Sequence, residues 1–322
     1  MLRSAKALVG AVLSLGVATA TSQAFAADMP VKAAPLPSYV PLDVHGYFDY
    51  TIASTRVTGG GMLLYGKGPL SQVSTGLSLD LYKSPSGFVN GVSVYGSFWS
   101  EWWHANPAGT QSWQEFDWSA GLAFKLAQRW TFKMEHVQFQ FPNAPTAYNY
   151  GFFLGLDDTG LTGLPFALNP YVSVFYNAAG RSNVATGRSG EARWDMGIAP
   201  SFDFSKSSGV PLTITIPVWF SFAPTAYYDR KDGTTNLCGS TSTAPCSTSN
   251  FGYFATGVKA KWSLASVIPA RLGSWYLGAN AIYYHVNNDA LVASQILTGA
   301  NPTFPAADRD IGLFTASIGM TF

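Results

Sequence analysis

The chain has 322 residues, 19 of them Lys or Arg and 18 Asp or Glu, with 15% aromatic and only 11% charged side chains. So sparse and balanced a charge argues against nucleic acid as a partner, because phosphate binding needs a concentrated cationic face. After residue 26 no apolar run approaches the roughly 18 residues that a membrane helix requires, which argues against a helical membrane protein as well.

The first segment reads as a secretory signal over 1–26. Arg3 and Lys6 form a basic start, Ala7 to Ala20 is apolar and small, and Ala24-Phe25-Ala26 fits small-x-small cleavage. Its removal takes away Arg3 and Lys6 and no acid, leaving 17 basic against 18 acidic side chains. Residues 27–44 are rich in Pro and Ala without a strand period, which predicts an extended periplasmic leader.

From residue 45 to 322 the chain alternates. Strands are predicted at 45–55, 71–82, 87–102, 112–125, 129–141, 148–157, 169–178, 191–204, 210–223, 251–264, 274–287 and 309–322. The pattern is explicit in Phe116, Trp118, Ala120, Leu122 and Phe124, and again in Leu212, Ile214, Ile216, Val218, Phe220 and Phe222. Hydrophobicity that is high overall yet interrupted at every second residue belongs to a strand with lipid on one side and a lumen on the other. The expected fold is therefore all-β, a transmembrane antiparallel up-and-down barrel of about 12 strands. Connectors around 83–86, 126–128, 205–209 and 265–273 are short and fall on the side of the termini. Those at 56–70, 103–111, 179–190, 224–250 and 288–308 are mostly longer, as outer loops are. The connector 142–147 is short for an outer loop and 158–168 long for a periplasmic turn. Trp99, Trp102, Trp103 and Trp113 at one end, with Trp130, Trp262 and Trp275 at the other, are placed at interface depth.

If the apolar alternates meet lipid, the charges must turn inward, because a charge on the lipid face costs about 2–4 kcal/mol at the midplane. The expected lumen lining is Asp49, Asp80, Glu101, Glu115, Asp117, Lys133, Glu135, His136, Glu191, Arg193, Asp195, Lys259 and Lys261, with Lys125 and Asp203 on the same parity. In the fifth strand Trp130, Phe132 and Met134 share one parity but Val137, Phe139 and Phe141 the other, which predicts a β-bulge at His136-Val137. Twelve strands lie between the roughly eight filled by side chains and the roughly sixteen that leave a wide channel, so any path is narrow and gated by outer loops.

The titratable groups do not assemble an enzyme. A barrel phospholipase needs a His followed two residues on by Ser, and His45, His104, His136 and His285 are followed there by Tyr47, Asn106, Gln138 and Asn287. Asp43-Val44-His45 has the spacing of a protease dyad but lies on the periplasmic side and reads as a local polar pair. Gly59-Gly60-Gly61 follows no strand-to-helix pattern and reads as loop flexibility. Cys238 and Cys246, eight apart in a Gly/Ser/Thr-rich stretch, predict a loop-stapling disulfide rather than a metal site, since no further ligand lies nearby. No cofactor is expected.

The closing strand Gly312 to Phe322 ends on its aromatic and resembles the last strand of bacterial outer-membrane barrels, in which the terminal Phe is read by the insertion machinery. The segment Ala26-Ala27-Asp28-Met29-Pro30-Val31-Lys32 resembles the mature start of alphaproteobacterial porin-like barrels. Leu168 to Tyr176 and Gly273-Ser274-Trp275-Tyr276 are similar to barrels of that kind without an assigned substrate. The resemblance implies a bacterial outer-membrane location, outer-membrane lipid, lipopolysaccharide and the insertion machinery as partners, and no particular functional residues. The function expected is a narrow channel for small polar solutes or ions. Its alternative is a closed barrel that binds a partner through its outer loops, above all 224–250.

Overall fold

The computed structural model describes residues 43–59, 63–65, 68–104, 112–142, 144–164, 166–179, 189–228, 249–292 and 309–322. The signal, the leader up to residue 42 and the Cys238/Cys246 pair lie outside the described residues.

Sixteen strands follow in chain order: β1 (Asp43–Ala53), β2 (Arg56–Val57), β3 (Leu63–Tyr65), β4 (Leu70–Lys83), β5 (Val89–Trp103), β6 (Trp113–Leu126), β7 (Trp130–Phe141), β8 (Ala144–Leu156), β9 (Tyr171–Ala179), β10 (Ala192–Ile198), β11 (Ser201–Asp203), β12 (Leu212–Thr215), β13 (Val218–Phe222), β14 (Phe251–Ser263), β15 (Ser274–Val286) and β16 (Asp310–Thr321). All but β2 and β3, which pair with each other, form a single antiparallel sheet, and β14 pairing with β15 closes it. β10 with β11, and β12 with β13, are each one stave interrupted by a proline. Pro200 and Pro217 lack the N–H that a ladder needs, and the chain crosses the gap through Ile216 N–H donating to the Pro200 carbonyl at 2.9 Å. Counted as staves, the sheet is a closed up-and-down barrel of twelve strands.

Closure joins the two chain ends. β1 runs against β16 from Tyr47 opposite Thr321 to Ala53 opposite Thr315, and Gly46 and Phe322 exchange both backbone hydrogen bonds at 3.0 Å. One parity of the staves is predominantly apolar and open to the surroundings: Leu77, Phe98 and Phe314 are 57%, 52% and 61% exposed. Water would not tolerate such a belt, whereas hydrocarbon demands it. The protein is therefore a barrel of the bacterial outer membrane, crossing with strands whose backbone groups are satisfied by their neighbours. Among the described residues no helix is long and apolar enough to cross.

One sequence expectation changes here: β8 begins at Ala144, so the connector after β7 is shorter than the six residues expected. The turn between β8 and β9 is long, as expected, and Asp158, 4% exposed, pins it, its carboxylate accepting from Asn169 N–H at 2.8 Å.

Candidate lumen

Strand parity divides every stave into two faces, and cross-strand register follows each face around the barrel. The inner set runs through Asp49 and Ser74, Gln72 and Glu101, Glu101 and Glu115, Gly121 and Glu135, Phe175 and Arg193, and Thr213 and Lys261. It falls into two tiers along the axis.

The tier toward the long connectors is filled. Thr55 to Gly59 enter the interior from β1. From the wall and the connectors, Tyr227, Tyr228, Tyr253, Tyr284, Val286 and Leu291 pack as one buried cluster, with Val57 and Trp219 against it. Trp219 meets Tyr284 edge-on at 5.7 Å, and the Tyr253 hydroxyl donates to the Gly59 carbonyl at 2.9 Å. Two guanidinium groups sit in this tier. Arg193 is buried and donates twice to Asp195, Nε to Oδ1 at 3.1 Å and Nη2 to Oδ2 at 3.0 Å, over the Phe175 ring. Arg56 reaches Glu115 at 3.2 Å and Glu101 at 3.5 Å, over the Trp99 ring.

The tier toward the chain termini is hollow. A cavity of ≈ 790 Å³ is bounded by residues of β1, β4, β5, β6, β7, β8, β9 and β16, among them Tyr47, Tyr95, Lys133, Glu135 and Phe153. Glycines keep it open. Tyr95, Tyr47 and Tyr276 lie flat over Gly121, Gly76 and Gly319, where a Cβ would stand within 2.8 Å of a ring atom in each case. Laid down in this way, Tyr95 donates to Glu135 at 3.2 Å and Tyr276 to Asp49 at 2.8 Å. Lys133 stands over Phe153, and Lys261 over Tyr276 at 3.9 Å. Among the described residues no salt bridge joins Lys133, Lys259 or Lys261 to a carboxylate. At the mouth Lys83 bridges Asp43 and Asp80, and His45 meets the same two acids at 3.0 and 3.4 Å. The lysine between those carboxylates already supplies their counter-charge, so the Asp43/His45 pair is a rim network.

Asp49, Asp80, Glu101, Glu115, Asp117, Lys133, Glu135, Arg193, Asp195, Lys259 and Lys261 occupy the inner parity, and Glu191 precedes β10 on the filled tier. His136 does not. The β6–β7 ladder runs without a slip from Leu126 opposite Trp130 to Phe116 opposite Gln140, so there is no bulge at His136-Val137. The imidazole lies on the outer face among Trp118, Tyr148 and Tyr150, with ring centroids 5.3 to 5.8 Å away. A register shift occurs instead between Phe139 and Phe141, against β8. Trp99, expected in an interface belt, faces inward beneath Arg56. Arg56 itself was beyond the reach of strand parity, because the strand that holds it, β2, has only two residues.

One serine does meet a histidine. Ser71 Oγ is 2.6 Å from His104 Nε2 and 2.8 Å from the Tyr50 hydroxyl. Ser71 is 5% exposed, and among the described residues no carboxylate contacts His104, so this is a rim hydrogen-bond chain without the third member that a triad requires.

No protein-family model and no curated relative matches the chain. Solved structures similar to it include the NanC porin (12% identity over 85% of this chain and 98% of that one, TM-score 0.40). Others are the β domain of a Bordetella autotransporter (9%, 87% and 100%, 0.40) and the outer membrane channel DcaP of Acinetobacter baumannii (7%, 87% and 97%, 0.40). Such distant likeness carries no residue role.

Proposed function

We propose that this barrel is a narrow outer-membrane channel for passive diffusion of small polar solutes or ions, gated at its long-loop end. The observation that supports it most is the division of the interior: a cavity of ≈ 790 Å³ on one side, lined by apolar residues together with Lys133 and Glu135, and on the other a stopper of packed chain segments. A barrel built only as a wall has no use for glycine slots that hold tyrosines off its axis, because filling that space would add burial at about 25 cal/mol per Å². Charges lining a narrow path select by sign and size. Outer-membrane lipid and lipopolysaccharide surround the belt, and the exposed Phe322 ring is available to the insertion machinery.

Planar-bilayer recording and liposome swelling test this reading on the refolded full chain. The expected result is a small, intermittent conductance with passage of small polar solutes, and a continuous, larger current once residues 55–67 are replaced by a short Gly/Ser linker. Silence in both assays from both proteins, each verified as folded by heat-modifiable migration, would overturn the channel and leave a closed barrel.

A further inference from the structure

Arg56 occupies a nest that would accept another molecule's cation equally well. Its floor is the Trp99 ring, 4.4 Å from the guanidinium carbon, and its walls are Glu101 and Glu115, whose side chains are 1% and 8% exposed. Glu101 is held in place by two donors, Gln72 Nε2 at 2.9 Å and Trp103 Nε1 at 2.8 Å. Asp117 stands beside Trp99 across the β5–β6 ladder and has a buried carboxylate oxygen, Oδ1, without a hydrogen-bond partner. The Arg56 Nε is likewise buried and makes no hydrogen bond. Three carboxyl groups, those of Glu101, Glu115 and Asp117, thus face one guanidinium that fills only part of its own donor capacity. Planar cation over indole with carboxylates at its edge is the arrangement in which a guanidinium binds best.

We propose that this nest is a binding site for the guanidinium group of a solute, and that Arg56 is its tethered occupant. The idea rests on the channel reading and names the solute chemistry that opens the gate. Arg56 is held on the β5–β6 wall and Gly59 on β14, roughly opposite in strand order, so the four-residue stretch between them spans the lumen. Displacing Arg56 removes the charged anchor at one end of that span, whose other ties include the packing of Val57 and the hydrogen bond from Tyr253 to Gly59. A tethered competitor acts at an effective concentration in the mM range, so an external guanidinium opens the wild-type gate only at comparable concentration.

Calorimetric titration of methylguanidinium into the detergent-refolded full chain separates this site from the channel reading. Binding is expected to be at least tenfold tighter in Arg56→Ala than in wild type, to return to the wild-type level in Arg56→Lys, and to disappear in Arg56→Ala/Glu115→Gln. Arg56→Ala/Glu101→Gln serves where that double variant fails to fold. Equal binding by wild type and Arg56→Ala, or binding that survives loss of either glutamate, overturns the site whatever the bilayer shows. Glutamate-dependent binding accompanied by electrical silence would keep the site and remove the channel.

Discussion

Arg193 is the residue on which the filled tier is most committed. Its guanidinium is shut away from solvent at 1% exposure and neutralised by Asp195 two positions on, the same-face spacing of a strand. A buried pair of this kind adds little net stability against an apolar replacement, yet removing one partner strands the other charge. Arg193→Met should therefore lower the unfolding free energy by about 3–5 kcal/mol, while Arg193→Met/Asp195→Ser should lower it by clearly less. Urea unfolding in detergent, followed by tryptophan fluorescence, measures both. A double variant as unstable as the single one would show that the two side chains do not act as a pair. His136 makes the complementary point. A histidine between Glu135 and Gln138 looks lumenal by composition, but its parity places it on the outer face, where it packs among three aromatic rings.

At the scale of the strand, the turn joining β6 to β7 carries a cost. Ala127 and Gln128 have φ of 45° and 64°, the left-handed central pair of the turn closed by Arg129 N–H donating to the Leu126 carbonyl, where Asn and Gly are the usual occupants. Left-handed backbone costs a non-glycine residue roughly 1–2 kcal/mol, and the Ala127 side chain makes no polar contact that would be lost. Ala127→Gly should raise the urea midpoint by the equivalent of about 1 kcal/mol; an unchanged or lower midpoint would mean that the added freedom of the unfolded chain cancels the relief. The staves themselves were legible, since a membrane strand must alternate and the lipid face admits few polar residues. The apparent phase slip in β7 was legible too, but its cause was not. Val137, Phe139 and Phe141 share the inner parity of Lys133 and Glu135 without a slip, and Ile282, Val286, Ile311 and Leu313 turn inward where chain segments pack as an apolar cluster. A bulge reading presupposes a wet lumen along its whole length. Nothing in strand parity announces a stopper, because its anchor, Arg56, lies in the two-residue β2, too short to show a period.

Across the whole barrel, charge is sorted along the axis rather than intermixed. Among the described residues the filled tier holds Glu101, Glu115, Asp117, Glu191 and Asp195 with Arg56 and Arg193 facing them, whereas Lys125, Lys133, Lys259 and Lys261 stand on the hollow tier with Asp49 and Glu135. Among the described residues no lysine of the hollow tier has a carboxylate salt bridge, so these ammonium groups act on mobile ions in the cavity together with the carboxylates of Asp49 and Glu135. Screening sets how far those groups act: the Debye length is about 8–10 Å between 0.15 and 0.1 M salt and about 3 Å at 1 M, while a twelve-stranded lumen is narrower than a general porin's. At low salt each lysine therefore influences ions across much of the cavity, and at high salt only those beside it. Once the stopper segment is replaced by linker so that current flows steadily, Lys259→Gln/Lys261→Gln should move the reversal potential in a 0.1 M to 0.02 M KCl gradient toward cation preference, and the shift should fade as both solutions approach 1 M. A reversal potential that ignores the two lysines at low salt, or a shift of the same size at high salt, would place the ion path away from the β14 wall and remove the hollow tier as the conducting half of the molecule.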